Sequence, residues 1–138
     1  MEQRDYMMRQ IEQLGQVLAR MLARLLNIKQ VPDAGLSLDE IKQVYSDELD
    51  LSLDLVLGTP ADRLIEILRH DLKFIDQHLE KMVEILSETA DILDKTTDNE
   101  ASRELRIKSI IILEHLQDSS GNYSMERITR ITELKKLI

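Results

Sequence analysis

The sequence predicts an all-α fold, a single-domain bundle of five to six helices. Apolar residues recur at spacings of three and four along nearly the whole chain, and no stretch keeps the two-residue alternation of a strand. Only four glycines and two prolines interrupt this pattern. We expect a long amphipathic helix over residues 1–30 to pack on a helical bundle over residues 36–138, which gives one helical domain over 1–138.

The predicted first helix, from about Gln3 to Lys29, carries the clearest pattern. Its apolar residues alternate spacings of four and three, the a/d pattern of a heptad repeat: Met7, Ile11, Leu14, Leu18, Met21, Leu25 and Ile28. Met8, Val17 and Leu22 widen this seam beyond that of a simple two-stranded coiled coil. The seam is therefore interpreted as core packing within the chain, as a homodimer interface, or as a surface for a membrane or another protein.

Short polar signals divide the remaining helices. The capping-box pair Ser37 and Glu40 predicts that the second helix begins at Ser37, after a loop over 31–35. The stretch 50–57 is open to three interpretations: a frayed helix, a turn or an extended segment. Thr59 and Pro60 predict the next helix start, with Thr59 as the N-cap.

A single helix over 60–95 would be about 54 Å long, more than a compact domain of this size spans. We therefore predict a break near 70–73, with Asp71 capping the second piece, although the pattern leaves one helix or two open. The run 110–113 is apolar on nearly every side and indicates a central helix. Ser124 is the predicted cap of the last helix.

Composition narrows the function classes. The net charge is −8, and residues 31–100 carry a balance of −12, while both ends of the chain are slightly basic. An acidic middle repels phosphate, and four aromatic residues are too few for base stacking, so no nucleic-acid partner is expected. The absence of cysteine and of a long apolar run predicts a cytoplasmic protein without a membrane span.

No motif for chemistry stands out. Glycine-rich phosphate loops, the Gly-x-Ser-x-Gly elbow and histidine–glutamate zinc patterns are absent from the sequence. The sequence therefore predicts no catalytic residue, no metal ligand and no cofactor, and it favours a non-enzymatic role. Glu66 and His70 lie four residues apart and, together with His78, form the one candidate for an interhelical pocket.

The N-terminal run from Asp5 to Gln16, followed by Leu18-Ala19-Arg20, resembles the opening of a family of small, uncharacterised bacterial helical proteins found in Firmicutes and Bacteroidetes. Members share a first helix that ends in a short apolar loop, followed by a tetratricopeptide-like helical tail. The resemblance implies that the first helix packs on a tetratricopeptide-like antiparallel helical layer. It implies no activity. The consensus aromatic and glycine positions of that repeat are missing around 80–116.

These observations favour a protein–protein interaction or scaffolding domain that self-associates as a homodimer through the seam of the first helix, or that binds another protein. The first alternative is a small-ligand binder or enzyme with a pocket near Glu66, His70 and His78. The second is a DNA-binding regulator whose last helix carries basic residues: Arg127, Arg130, Lys135 and Lys136. The small basic balance of that region does not favour DNA binding.

Overall fold

A computed structural model describes residues 2–30, 34–96 and 99–138, without the side chains of 34–37. Its helices are α1 (Glu2–Lys29), α2 (Ala34–Leu49), α3 (Leu53–Gly58), α4 (Ala61–Glu66), α5 (Asp76–Leu93), α6 (Asn99–Ser119) and α7 (Met125–Lys135). A π-helical turn, Ile67–Asp71, continues α4. The described part of the chain contains no strand, and its seven helices confirm the all-α prediction.

The second half of α1 lies in the core. Leu18, Met21 and Leu25 are fully buried, and Ile28 is nearly so. The α1 helix packs against α2 and α5. These four seam residues therefore pack within the chain itself, because the periodic apolar face of α1 is covered by neighbouring helices over this half.

The α5 helix is the centre of the bundle and packs against α1 and α6. Three residues of α5 show its direction relative to α1. His78 contacts Ile11 in the first half of α1, and Glu88 and Asp91 pair with Lys29 at the end of α1. The two helices therefore run parallel. The α6 helix packs on α5, and α7 packs on α6. The predicted central run is buried at 110, 112 and 113, whereas Ile111 faces outward.

The prediction of five to six helices was one short. The extra helix is α3, in the stretch whose structure the sequence left open, where the Ser52 side chain accepts a hydrogen bond from the Leu55 N–H at 3.3 Å. Thr59 was predicted to be the N-cap of α4, and this prediction is wrong. Its hydroxyl donates to the Leu55 carbonyl oxygen and so ends α3, and Pro60 takes the N-cap position.

The α2 helix begins at Ala34, three residues before the predicted start. The Ser37 side chain lies outside the described part of the structure, as do residues 31–33 of the predicted loop and residues 97 and 98, between α5 and α6 in the sequence. Ser124 caps α7 as predicted, because its hydroxyl accepts the Arg127 N–H at 3.3 Å.

The predicted break between 60 and 95 is present, so two helices occupy this stretch. After the π-helical turn, Lys73 adopts a left-handed backbone conformation with φ 62°. The Phe74 N–H donates to the Leu68 carbonyl oxygen at 2.9 Å, and both side chains are buried. Asp71 does not cap α5, which begins after Ile75. Burial of Leu68 and Phe74 therefore determines the position of the helix break, where the sequence has no glycine or proline.

A buried arginine joins α6 to the end of α5. The Arg106 side chain is 5% exposed, and it pairs with Asp94 at 2.6 Å and with Asp91 at 2.9 Å. This guanidinium holds the pKa of the Asp94 carboxyl below its usual range, and the same contact raises the pKa of Arg106. The pair is satisfied at neutral pH, which offsets the cost of burying the arginine.

The chain is expected to lose stability in acid because protonation of Asp94 breaks this pair. Because the folded state lowers the pKa of Asp94, the pairing stabilises the chain above the unfolded pKa of about 3.9 and is lost as the pH falls through the folded value. We expect the free energy of unfolding, measured with urea, to fall between neutral pH and about pH 3. This fall should be smaller in Arg106→Met than in the unaltered chain. An equal loss in both proteins would contradict this assignment.

Candidate functional site

The first half of α1 extends beyond the core. All residues from 2 to 10 are exposed, although several are large and apolar. Tyr6 is 62% exposed, Met7 is 60% exposed and Met8 is 52% exposed. Ile11 and Leu14 are half-buried. The predicted seam thus divides into four core residues and three that lie on or near the surface, because α2 and α5 cover only the second half of its face.

One face of this half carries no charge. Its residues follow the helical spacing of 3, 1, 3, 3, 1 and 3, and are Gln3, Tyr6, Met7, Gln10, Gln13, Leu14 and Val17. The Gln10 amide donates to the Tyr6 hydroxyl at 3.1 Å, which places both on one side of the helix. The charged residues of this half lie on its other sides. We call this face the uncharged strip.

A groove runs beside the uncharged strip. Its second wall is the segment 72–75, which follows the π-helical turn. The groove has a volume of about 760 Å³, and its lining is mostly apolar or amide-bearing: Met7, Gln10, Ile11, Gln13, Leu14, Val17, Leu72, Phe74 and Ile75, with Arg69 and Lys73 as its two charged residues. The volume lies within the range of binding pockets for organic ligands or anchoring side chains.

His78 holds the two walls of the groove together. Its Nδ1 accepts the Ile75 backbone N–H at 3.0 Å, and its Nε2 lies 3.0 Å from the Ile11 carbonyl oxygen. Since an N–H only donates and a carbonyl oxygen only accepts, these two contacts assign the acceptor role to Nδ1 and the donor role to Nε2. The side chain is buried, and its ring contacts Phe74 edge to face at 5.7 Å.

Arg69 fastens the π-helical turn from the other side. Its guanidinium donates to Asp76 at 2.8 Å and to the His115 ring at 3.3 Å. The turn is therefore tied to the start of α5 and to the last third of α6. Lys73, by contrast, makes no ion pair within the described residues. These contacts fix the position of the 72–75 wall relative to α1.

Gly15 lies on the seam side of α1, half-buried. A Cβ built at this position would meet no atom within 4 Å. No described part of the same chain approaches Gly15 closely. The space beside Gly15 is open along the same half of α1 that carries the uncharged strip.

The residues of the predicted interhelical pocket are not brought together around one cavity. Glu66 is exposed and pairs with Arg63 at 2.9 Å. His70 is exposed, whereas His78 is buried and uses both ring nitrogens for backbone groups. The groove that the structure does show was missed by sequence reasoning, because its second wall depends on a break whose geometry comes from tertiary packing.

One of the basic residues of the last helix makes its contacts within the chain. Arg127 pairs with Glu80 and also donates to the Gln117 side chain at 3.0 Å. A second, polar groove of about 610 Å³ lies beside it, between α5, α6 and α7. Its wall includes the carboxylates of Glu84, Glu126 and Glu133, which do not favour a phosphate backbone.

Neither a metal cluster nor a membrane-spanning helix is found among the described residues. Within the ranges 2–30, 34–96 and 99–138, no group of three or more His, Asp or Glu side chains is arranged to hold a metal ion. None of the described helices combines the length and apolar character that crossing a bilayer requires.

Comparison of the chain with protein-family models, curated proteins and solved structures gives no match in any of the three. The resemblance of the N-terminal run to a bacterial helical family therefore stays a prediction. The described residues place several exposed apolar side chains and an open groove at the first half of α1.

Proposed function

We propose that this chain is a non-enzymatic protein–protein interaction or scaffolding domain that self-associates through the first half of α1. The uncharged strip supports this proposal. Charged residues make up 32% of the sequence, yet none lies on a face that extends from Gln3 to Val17. Interface centres are depleted in charge and enriched in tyrosine and methionine, as this face is.

The exposed helix itself favours a covering partner. Residues 2–10 make few contacts with the bundle, and an isolated helical segment this short is marginal in water. Burial of Tyr6 and Met7 against another apolar surface would stabilise it, since a buried apolar side chain contributes about 1.5–3 kcal/mol. A partner is therefore expected to order the start of α1.

A second copy of the chain suits this face. Two copies related by a twofold axis present the same strip to each other, and an uncharged strip brings no like charges together. The flanks of the helix carry both signs, with Arg4 and Arg9 against Asp5 and Glu12. Pairing two such helices in antiparallel fashion therefore has no electrostatic penalty at its centre.

Met7→Glu tests the proposal. The unaltered chain is expected to have a mass near twice 16.0 kDa in light scattering after size exclusion. Met7→Glu is expected to be a folded monomer, because glutamate forms helix well but loses its hydration when buried in an apolar interface. Met125→Glu is the matched control, since Met125 is 65% exposed on α7. Retention of the dimer mass by Met7→Glu would contradict the proposal.

A further inference from the structure

We infer that the groove between α1 and the 72–75 segment receives the start of α1 from a second copy of this chain. The inference rests on the proposed self-association and adds the second wall of the interface. It makes Leu72 and Ile75 part of the contact surface, and it assigns a role to the break between α4 and α5.

The groove is a ready receptor for an apolar helix. Ile75 is 37% exposed and faces Ile11 and Leu14 across the groove, so its walls are apolar on both sides. The part of α1 that lines it, from Met7 to Val17, is about 15 Å long at 1.5 Å per residue. This length matches about three turns of a second helix laid alongside.

The chemistry of the groove selects its occupant. Its lining pairs apolar side chains with the amides of Gln10 and Gln13, and the face offered by the start of α1 has the same composition, with Tyr6, Met7 and Gln10. An occupant rich in positive charge would lose hydration against Ile11, Leu14 and Ile75 and would also meet the cations of Arg69 and Lys73. The start of α1 itself is uncharged on this face and is exposed.

Twofold symmetry allows both grooves to be filled at once. An antiparallel pairing that sets Met7 against the partner's Ile11 also sets Tyr6 beside the partner's Glu12 and Gln13, at the level of the partner's groove. Rotation by the twofold axis puts the partner's Met7 in the equivalent place.

The segment 72–75, at the break between α4 and α5, can form a wall of the groove because other residues fix its position. His78 joins Ile75 to Ile11, and Arg69 anchors the π-helical turn to Asp76 and His115. Lys73 is held at φ 62°, a conformation that non-glycine residues seldom adopt. Because the 72–75 wall is fixed before binding, it loses little conformational entropy when the partner enters.

Ile75→Lys tests the inference by changing the second wall alone. The Ile75 backbone contacts to His78 remain, and its side chain is partly exposed, so the variant is expected to fold. We expect the dimer dissociation constant, measured by sedimentation equilibrium, to rise at least about tenfold. Ile111→Lys is the matched control, because Ile111 is 39% exposed on α6, and its dissociation constant should not change.

The outcomes separate this inference from the proposed function. If Met7→Glu dissociates the dimer and Ile75→Lys leaves it unchanged, self-association through α1 stands and the groove is not its receptor. If neither variant changes the dimer, the interface lies elsewhere and both ideas are wrong. A chain that is monomeric without substitution overturns both as well.

Discussion

Leu18→Asp is expected to unfold the chain. Leu18 is fully buried between α1 and the bundle, so the substitution removes core packing and places a carboxylate among buried apolar side chains. Truncation of a buried leucine alone costs about 2–5 kcal/mol, and an unpaired buried charge adds to that cost. The total approaches the whole stability of a domain of this size, about 5–15 kcal/mol.

Circular dichroism separates Leu18→Asp from Met7→Glu, although both change the same predicted heptad seam. Leu18→Asp should lose its helical signal, and Met7→Glu should keep it. If Leu18→Asp were folded and merely monomeric, the second half of α1 would belong to a subunit interface and the core described for the single chain would be wrong. Equal unfolding of both variants would contradict the exposure of the first half.

His78→Phe is expected to lower the free energy of unfolding by about 2–4 kcal/mol. Phenylalanine keeps the ring and its contact with Phe74, but it leaves the Ile75 N–H without an acceptor and the Ile11 carbonyl oxygen without this donor. A buried polar group that loses its partner costs about 1–3 kcal/mol. His70→Phe is the control, since His70 is exposed and surface substitutions change stability by about 0.5 kcal/mol or less.

Urea unfolding of the two histidine variants measures this difference. If His78→Phe were as stable as His70→Phe, the histidine would not connect α1 to the start of α5. The expected weakening has a consequence for the groove, because the two walls that His78 joins are both parts of the proposed interface. His78→Phe should therefore also weaken the dimer at temperatures at which it remains folded.

Local signals in the sequence were sufficient for much of the fold. The 3/4 spacing of α1 predicted its length to within a residue, and Ser124 predicted the start of α7, because an N-cap acts within one turn. The prediction of Thr59 as an N-cap was wrong, because a threonine before proline can end one helix as well as begin the next. The Leu53–Gly58 helix was too short for its period to be recognised.

The candidate site was less accessible from the sequence. The seam pattern located α1 but could not tell Leu18, which the bundle covers, from Met7, which it leaves exposed. That distinction depends on where α2 ends relative to α1, which is a tertiary property. The groove depends in addition on the π-helical turn and on His78, whose partners are backbone atoms 3 and 67 residues away. No spacing rule connects a histidine to such partners.

The mass of the unaltered chain in solution tests the central claim most directly. Light scattering after size exclusion, over about a hundredfold range of concentration, is expected to show a species that approaches twice 16.0 kDa as the concentration rises. This result would agree with self-association through the first half of α1. A mass that stays at 16.0 kDa over the whole range would contradict the account, and would leave the uncharged strip exposed in the free protein.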